Sequence, residues 1–283
     1  MKWRFLEEKI FQALMIGATG LTALILLLIL GTIVVKGIGA LNLEMIFRLP
    51  RGGYYLGQEG GILNAIVGSL QLAGGATILA FFLSLPVVFY INYFARRKSF
   101  GPTLIRFSLD VLWGVPSIVY GAFGFLLMTW FGWQASLLLG IITLALLELP
   151  IMSRAMDEVL RPVPAELLEA SFSLGATRLE TAWKVVLRQA MPGIITAILI
   201  AFGRAIGDAA SVLLTAGYTD NLTTSLFQPV ASLPLAIFFQ LATPYPEVQK
   251  RAYAAAIILT LIILLISFIS RRISRHYARH LVF

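Results

Sequence analysis

Long stretches without a charged residue dominate the pattern of the chain. The first runs from Ile10 to Val35 and has 26 residues, and the second, from Gly60 to Ala95, has 36. A further 37 uncharged residues separate Asp110 from Glu148. A helix needs about 20 apolar residues to cross the roughly 30 Å of hydrocarbon in a bilayer. The pattern therefore predicts membrane-spanning helices.

Dividing these runs gives six spans. Phe131 and Trp133 split the third run at a point typical of a membrane interface, which predicts a helical hairpin. The first run is longer than the apolar region of a signal peptide, about 7 to 15 residues, so we expect it to stay attached. The sequence predicts one all-α, polytopic transmembrane domain over 1–283, and its predicted spans are 11–35, 64–95, 108–131, 134–152, 193–216 and 252–270.

The basic residues predict the orientation of these spans. The chain has 22 Lys and Arg against 14 Asp and Glu, a formal net charge of +8. Sixteen of the 22 fall on the side of the two termini, five fall on the other side, and Arg204 lies inside a span. The positive-inside bias therefore predicts both termini, and the loop 153–191, on the cytoplasmic side of the membrane. The segment 217–250 is then an external loop, and its prolines predict a short helix there instead of another span.

Composition and missing motifs exclude several functions. Only 13% of the residues are charged and 59% are hydrophobic, which excludes a soluble enzyme. No phosphate-cradling Gly-x-x-x-x-Gly-Lys-Ser/Thr loop, zinc-protease motif or nucleophile elbow occurs, so we expect neither catalysis nor a cofactor bound by this chain. The chain has no cysteine. His276 and His280 are spaced as two helical metal ligands, but four nearby arginines favour a solvated basic tail.

Arg204 is the most unusual charge, because 12 helical residues separate it from Pro192. That spacing places it near the middle of the bilayer, where ionisable side chains face a bundle interior or an aqueous path. Asp208 follows on the same predicted helix face, and Gly203 and Gly207 allow close helix packing. The two charges lock the packing of the fifth span, or the guanidinium is a bidentate site for a passing oxyanion, and both can be true.

Other charges have a simpler explanation. Asp110 and Glu148 are expected near the cytoplasmic ends of their spans, where an interfacial position accounts for them. Arg154 and Asp157, three residues apart, predict an interfacial salt bridge. These patterns alone indicate no function.

The loop 153–191 predicts two short helices. The first, Ala165–Leu174, has an apolar stripe that includes Leu167 and Phe172, and Gly175 is its stop signal. Thr177 and Glu180 form a capping box that begins the second, which leads to Pro192. A helix of about ten residues needs a surface to dock on, either the chain's own bundle or a separate cytoplasmic protein.

The same loop resembles the signature of ABC importer permeases. Glu169, Ala170 and Ser171, followed at the family's spacing by Gly175, Val185 and Leu187, resemble the Glu-Ala-Ala motif of that family. Ser171, Val185 and Arg188 depart from its usual Ala, Ile and Pro.

More narrowly, the chain resembles the A-type permeases of phosphate-specific (Pst) importers over nearly its whole length. Matching segments include Gly61–Gly68, Gly114–Gly121, Arg204–Asp208 with Leu213–Gly217, and Ser232–Phe238. Asp208 stands where the family usually has Glu, and Asn92 stands where an acidic residue is common.

The resemblance implies a type I ABC importer permease that moves phosphate by alternating access. It implies four partners: a homologous PstC-like permease, a dimeric PstB-like ATPase that uses ATP, a PstS-like extracytoplasmic binding protein and the lipid bilayer. It implies a substrate pathway at Arg204, Asp208, Arg154 and Asp157, and ATPase coupling at Leu167, Glu169, Ala170, Ser171, Phe172 and Gly175. The alternatives are another oxyanion or solute, an ATP-independent transporter or channel, and a membrane scaffold.

Overall fold

The computed structural model describes residues 2–51, 59–95 and 100–278, and its regular elements are almost all helices. The only sheet in these residues is a two-stranded antiparallel ribbon, β1 (Pro50–Arg51) and β2 (Glu59–Gly60). The helices are α1 (Lys2–Gly37), α2 (Leu43–Phe47), α3 (Leu63–Phe89), α4 (Phe100–Trp113), α5 (Ser117–Phe131), α6 (Leu137–Leu160), α7 (Ala165–Ser173), α8 (Arg178–Thr181), α9 (Leu187–Ile206), α10 (Leu233–Leu241) and α11 (Pro246–Ala278).

Helices α3, α6 and α9 form the centre of the bundle, with α11 against α9 and α1 against α11. Small side chains bring α3 and α6 together, because a Cβ on Gly75 would lie 2.5 Å from Ile141 and one on Gly140 would lie 2.7 Å from Leu72. At the edge, Gly37 of α1 lies directly against the backbone of Tyr253. The long apolar surface of α1 is otherwise exposed, as expected of a helix that faces lipid.

The predicted third span, 108–131, is broken in the structure. Helices α4 and α5 meet at a bend of 99°. Pro116 disfavours helical backbone at Val115, and the carbonyl of Leu112 accepts hydrogen bonds from the N–H of Val115 and from the Tyr120 hydroxyl. Five described helices are long and apolar enough to span a bilayer, and a sixth span requires the bent pair to count as one. The six-span count therefore stays a prediction.

The predicted fifth span, 193–216, also differs. Helical backbone continues from Arg178 through a π-helical turn and past Pro192, and it ends at Ile206. The next residues turn repeatedly and cover the start of α6, where the N–H of Ser136 donates to the carbonyl of Thr215 and that of Leu137 to Gln228. Residues 207–216, the predicted end of this span, thus form no regular helix.

The α6 helix places Glu148 where the sequence did not predict it. We expected an interfacial carboxyl, but α6 continues to Leu160, eight residues beyond the predicted end of the span. Glu148 therefore lies in the middle of the helix and is fully buried. Asp110, by contrast, is half exposed and pairs with Arg154.

The segment 217–250, predicted to be an external loop, contains the short helix that its composition predicts. This helix is α10, and the hydroxyl of Ser232 caps its N-terminus. At the same point Ser69 of α3 accepts a hydrogen bond from the N–H of Leu233 at 2.7 Å. At the other end of the chain, His280 and the side chain of His276 lie outside the described residues. Within the described residues, no three His, Cys, Asp or Glu side chains form a metal-binding group.

Candidate functional site

Arg204 and Asp208 form an ion pair where α9 ends. Nη1 of Arg204 lies 3.3 Å from Oδ1 of Asp208, and the other carboxylate oxygen accepts a hydrogen bond from the N–H of Ser211 at 2.8 Å. The Asp208 side chain is 4% exposed and that of Arg204 is 49% exposed. The two residues do not share a helix face as predicted, because the helix ends at Ile206 between them. The Asp208 carboxylate is thus buried and held by the backbone, whereas the Arg204 guanidinium remains accessible.

The pair lies nearer to the N-terminal end of α6 than to the middle of the bundle. A small cavity beside Asp208 is lined by Leu72 of α3 and Leu144 of α6. Leu144 is seven residues into α6, which is about 10 Å along the helix axis from its N-terminal end, the end predicted to be external. The prediction from sequence assumed a helix continuing to residue 216. Because the helix ends ten residues earlier, Arg204 is closer to this predicted external end while still at the level of apolar side chains.

The helix face that carries Arg204 is open within this chain. A Cβ on Gly203 would meet no atom within 4 Å, and the nearest atom to one on Gly207 is at 3.9 Å. The predicted close packing at these glycines therefore does not occur between the described helices. A guanidinium has five N–H donors, and on this open face those not used by Asp208 can bind a planar or tetrahedral oxyanion.

A second charged group, which we call the Asp157 cluster (Asn92, Arg106, Arg154, Asp157 and Arg161), lies where the C-terminal part of α6 meets the residues after α3 and the middle of α4. Arg106 binds both carboxylate oxygens of Asp157, through Nε at 3.0 Å and Nη2 at 3.1 Å. Arg161 adds a bond of 2.7 Å, and the Asn92 amide donates another of 2.8 Å. The Asp157 side chain is 1% exposed. The carboxylate is thus enclosed by donors.

The structure rearranges the salt bridge that the sequence predicted. Arg154 lies 3.7 Å from Asp157, but its Nε is only 2.8 Å from Asp110 of α4. The strong partners of Asp157 are Arg106 and Arg161, which sequence reasoning did not select. Arg161 had a local signal, because a spacing of four residues on a helix places it beside Asp157. Arg106 had none, since it is 51 positions away on another helix.

The loop helix α7 has one face on the bundle and one face outward. Leu168 packs against the core, and the Ser171 hydroxyl is buried and 2.9 Å from that of Thr181. Gly175 ends the helix with a φ of +82°, a conformation that favours glycine. On the outward face Leu174 is 89% exposed. The other predicted coupling residues are distributed between the faces, with Glu169, Ala170 and Phe172 exposed and Leu167 intermediate.

The predicted capping box that begins the second loop helix is present. The hydroxyl of Thr177 accepts from the N–H of Glu180, whose carboxylate accepts from the N–H of Thr177 at 3.0 Å. That helix was expected to end at Pro192, but it continues to Ile206 with Pro192 inside it. The loop helix and the central helix α9 are therefore joined by only the short turn around Gly175.

Comparison with protein families and relatives gives consistent results. Residues 88–282 match the family described as "Binding-protein-dependent transport system inner membrane component". A Haemophilus influenzae protein named phosphate transport system permease protein PstA is 30% identical over 96% of this chain and 97% of its own length. The Yersinia pestis protein of the same name is 32% identical over 95% of this chain and 90% of its own. PstA 1 of Mycobacterium tuberculosis H37Rv is 38% identical over 74% of this chain and 68% of its own.

Solved structures share the fold at low sequence identity. A chain of a bacterial alginate ABC transporter superimposes with a TM-score of 0.65 at 15% identity, covering 97% of this chain and 99% of that chain. A chain of the inward-facing MetNI methionine ABC transporter gives 0.62 at 21% identity, covering 76% and 95%. At these identities the similarity concerns the fold alone.

Proposed function

This chain belongs to the family of binding-protein-dependent transport system inner membrane components, and on that premise we propose that it is the permease subunit of an ATP-driven phosphate importer. The family resemblance seen in the sequence is confirmed, and so is the all-α polytopic fold of type I ABC permeases. The chain is a multi-pass inner-membrane protein. We also propose that both termini lie in the cytoplasm, which the distribution of Lys and Arg supports.

The observation that carries the choice of substrate is the match, over nearly the full length of both chains, to relatives named for phosphate transport. The open guanidinium of Arg204 supports it, because phosphate presents oxygens in the geometry that a guanidinium binds through two parallel N–H donors. In this role Arg204 contacts phosphate as it passes. Asp208, held by the N–H of Ser211, returns the side chain to one position between passages.

Arg154 and Asp157 have a different part in the proposal. Asp157 already accepts hydrogen bonds from three side chains and has almost no exposed surface, so its geometry favours holding the cytoplasmic ends of α4 and α6 together. Arg154 is 21% exposed and lies between Asp110 and Asp157. It is the member of this pair that phosphate can reach on leaving the pathway.

The chain needs partners to transport anything. We propose a PstC-like permease against the open face of α9, a PstS-like protein that delivers phosphate outside, and a PstB-like ATPase dimer inside. The proposed ATPase contact is α7 and the turn after it, with Leu167, Glu169, Ala170, Phe172 and Gly175. Ser171, the remaining predicted coupling residue, supports this contact from the buried side through Thr181. ATP drives access changes only if it binds the two access states with different affinity. In this proposal, the continuous helix that begins at Arg178 transmits the movement of the ATPase to Arg204.

The test of transport is ATP-dependent uptake of labelled phosphate by vesicles that contain the reconstituted complex. Arg204→Gln is expected to reduce uptake at least about tenfold, because the amide loses the bidentate charged donor. Arg48→Gln is the matched control, since Arg48 also pairs with an acid four residues away and is half exposed, but outside the spans. Normal uptake by Arg204→Gln, in a complex of normal composition, would refute the role of the guanidinium. Excess unlabelled molybdate that competes as well as phosphate would instead refute the choice of substrate.

The coupling role is tested at Gly175. Gly175→Val strains a backbone with positive φ at the proposed contact, so we expect the ATPase to be lost from the purified complex. Gly132→Val is the control, because Gly132 has a φ of +67° and is equally free of close neighbours, but lies at the opposite end of the bundle. Strain of this kind costs about 1–3 kcal/mol at either site. Equal recovery of the ATPase with both variants would contradict the coupling role.

A further inference from the structure

A cavity of about 530 Å³ lies between the loop helix and the cytoplasmic ends of the bundle. Its walls come from the end of α3, the start of α4, the end of α6 and the helices α7 and α8. This volume is within the range of small-molecule binding sites, about 300–1,000 Å³. The cavity is separate from the Arg204 face, which is at the other end of α9. We call it the loop-helix cavity, and its charged and larger apolar lining residues include Phe94, Arg106, Arg161, Leu168, Phe172 and Arg178.

The charge along this cavity is positive and only partly balanced. Among the described residues that line it, three are arginines and none is Asp or Glu. Arg106 and Arg161 both bind Asp157, and these two side chains already use both of its carboxylate oxygens. Arg161 contributes one N–H donor to Asp157 and remains half exposed. Within the described part of the chain, guanidinium donors at the cavity therefore outnumber the carboxylate oxygens that accept from them.

Arg178 adds a positive charge to the cavity without an acidic partner of its own among the described residues. Across the part of the chain that the structure describes, its guanidinium has no hydrogen bond and no ion pair. It is also the first residue of α8, where the exposed N–H groups of the helix disfavour a cation. The neighbouring acid, Glu180, is used by the Thr177 cap and by Lys184. Arg178 is exposed, so its guanidinium is solvated and all of its N–H donors remain available to an anion.

The cavity also has apolar lining residues. Phe94, Leu168 and Phe172 are among them. Arginine donors beside apolar surface, at the level where the helices leave the membrane, suit a tetrahedral phosphate group with or without an attached acyl chain. We propose that the loop-helix cavity binds a phosphate-bearing anion through Arg106, Arg161 and Arg178. Inorganic phosphate and the headgroup of an anionic phospholipid share this chemistry. The proposal uses the predicted cytoplasmic orientation but not the transport role of Arg204.

The test measures binding by the purified complex, without the extracytoplasmic binding protein. In the first arm, native mass spectrometry compares retention of phosphatidylglycerol with that of phosphatidylcholine. In the second, equilibrium dialysis measures binding of labelled inorganic phosphate. Because Arg178 has no partner in the described chain, Arg178→Gln is expected to leave folding intact. We expect it to weaken binding of one ligand about tenfold, the typical effect of losing a charged hydrogen bond, and Arg161→Gln with Arg178→Gln to weaken it further.

The control is the double variant Arg271→Gln with Arg272→Gln, which removes two charges from the same membrane face outside the cavity. Loss of phosphatidylglycerol in the cavity variants alone identifies a lipid headgroup. Loss of inorganic phosphate alone identifies the free anion. If the cavity variants bind both ligands as well as the control variant does, the proposal is wrong. Phosphate uptake is measured separately with Arg204→Gln, so failure of one proposal leaves the other distinguishable.

Discussion

The charged side chains at the two ends of the bundle differ in their exposure and in their number of partners. At the predicted external end, one half-exposed arginine has a single acidic partner and an open face. At the predicted cytoplasmic end, one buried aspartate is enclosed by donors from three helices. The sequence resemblance implies that both pairs belong to the substrate pathway. Our proposal distinguishes them: the accessible donor is a site for cargo, whereas the enclosed acceptor is a structural joint.

The largest expected effect is at the structural joint. Asp157→Ala leaves Arg106, Arg154 and Arg161 close together without their shared anion, and breaking such a buried pair costs about 3–5 kcal/mol. We expect little folded protein in the membrane and a lowered thermal midpoint in detergent. Glu44→Ala, which breaks an exposed pair with Arg48, is the control and is expected to cost less than about 1 kcal/mol. If Asp157→Ala folds normally but transports no phosphate, Asp157 belongs to the pathway and the contrast between the two ends fails.

An intermediate effect is expected at Asp208. Asp208→Asn keeps an oxygen to accept from the N–H of Ser211, so the turn after α9 and the amount of folded protein should be preserved. The charged partner of Arg204 is lost, and we expect uptake to fall severalfold, less than the roughly tenfold loss with Arg204→Gln. The measurement is initial uptake rate against external phosphate concentration. Unfolding of this variant would instead assign the external pair to structure.

The smallest effect is expected at Asn92. Its amide donates to Asp157 and its oxygen accepts from Arg106 at 3.3 Å, so it joins the two without adding charge. This contact gives a physical account of an uncharged residue where the family commonly has an acid. Asn92→Asp adds a second carboxylate, and the surplus of arginines should limit the change in unfolding free energy to about 1 kcal/mol. A much larger loss in thermal stability would mean that the cluster has no positive charge to spare.

The position of Glu148 could not be predicted from the pattern of charged and uncharged residues. An acid at the end of an uncharged run is typical of a membrane interface, and Asp110, the acid at the opposite end of the same run, is indeed half exposed. The same rule was wrong for Glu148, because α6 continues through Pro150 to Leu160. The length of an uncharged run indicates how many residues can cross the membrane, but not where the helix that contains them begins or ends.

Local signals predicted the local structure well. The glycine stop at Gly175, the Thr177 capping box and the short external helix each depend on residues within a few positions of one another. The loop signature that carries the family resemblance is equally local. For this reason the family and the class of fold could be predicted from the amino-acid sequence.

What the sequence determined by itself is therefore the membrane class, the family and the short capped helices, since all of these follow from composition, run length and near-neighbour spacing. The tertiary structure decided the break between α4 and α5, the end of α9 before Asp208, and the contact of Arg106 with Asp157. Each of these depends on helices distant in the chain packing together and on the backbone groups that this packing leaves to be satisfied. A pattern read along one chain contains the spacing of charges, but only the packed bundle decides which of them is enclosed and which stays open to a ligand.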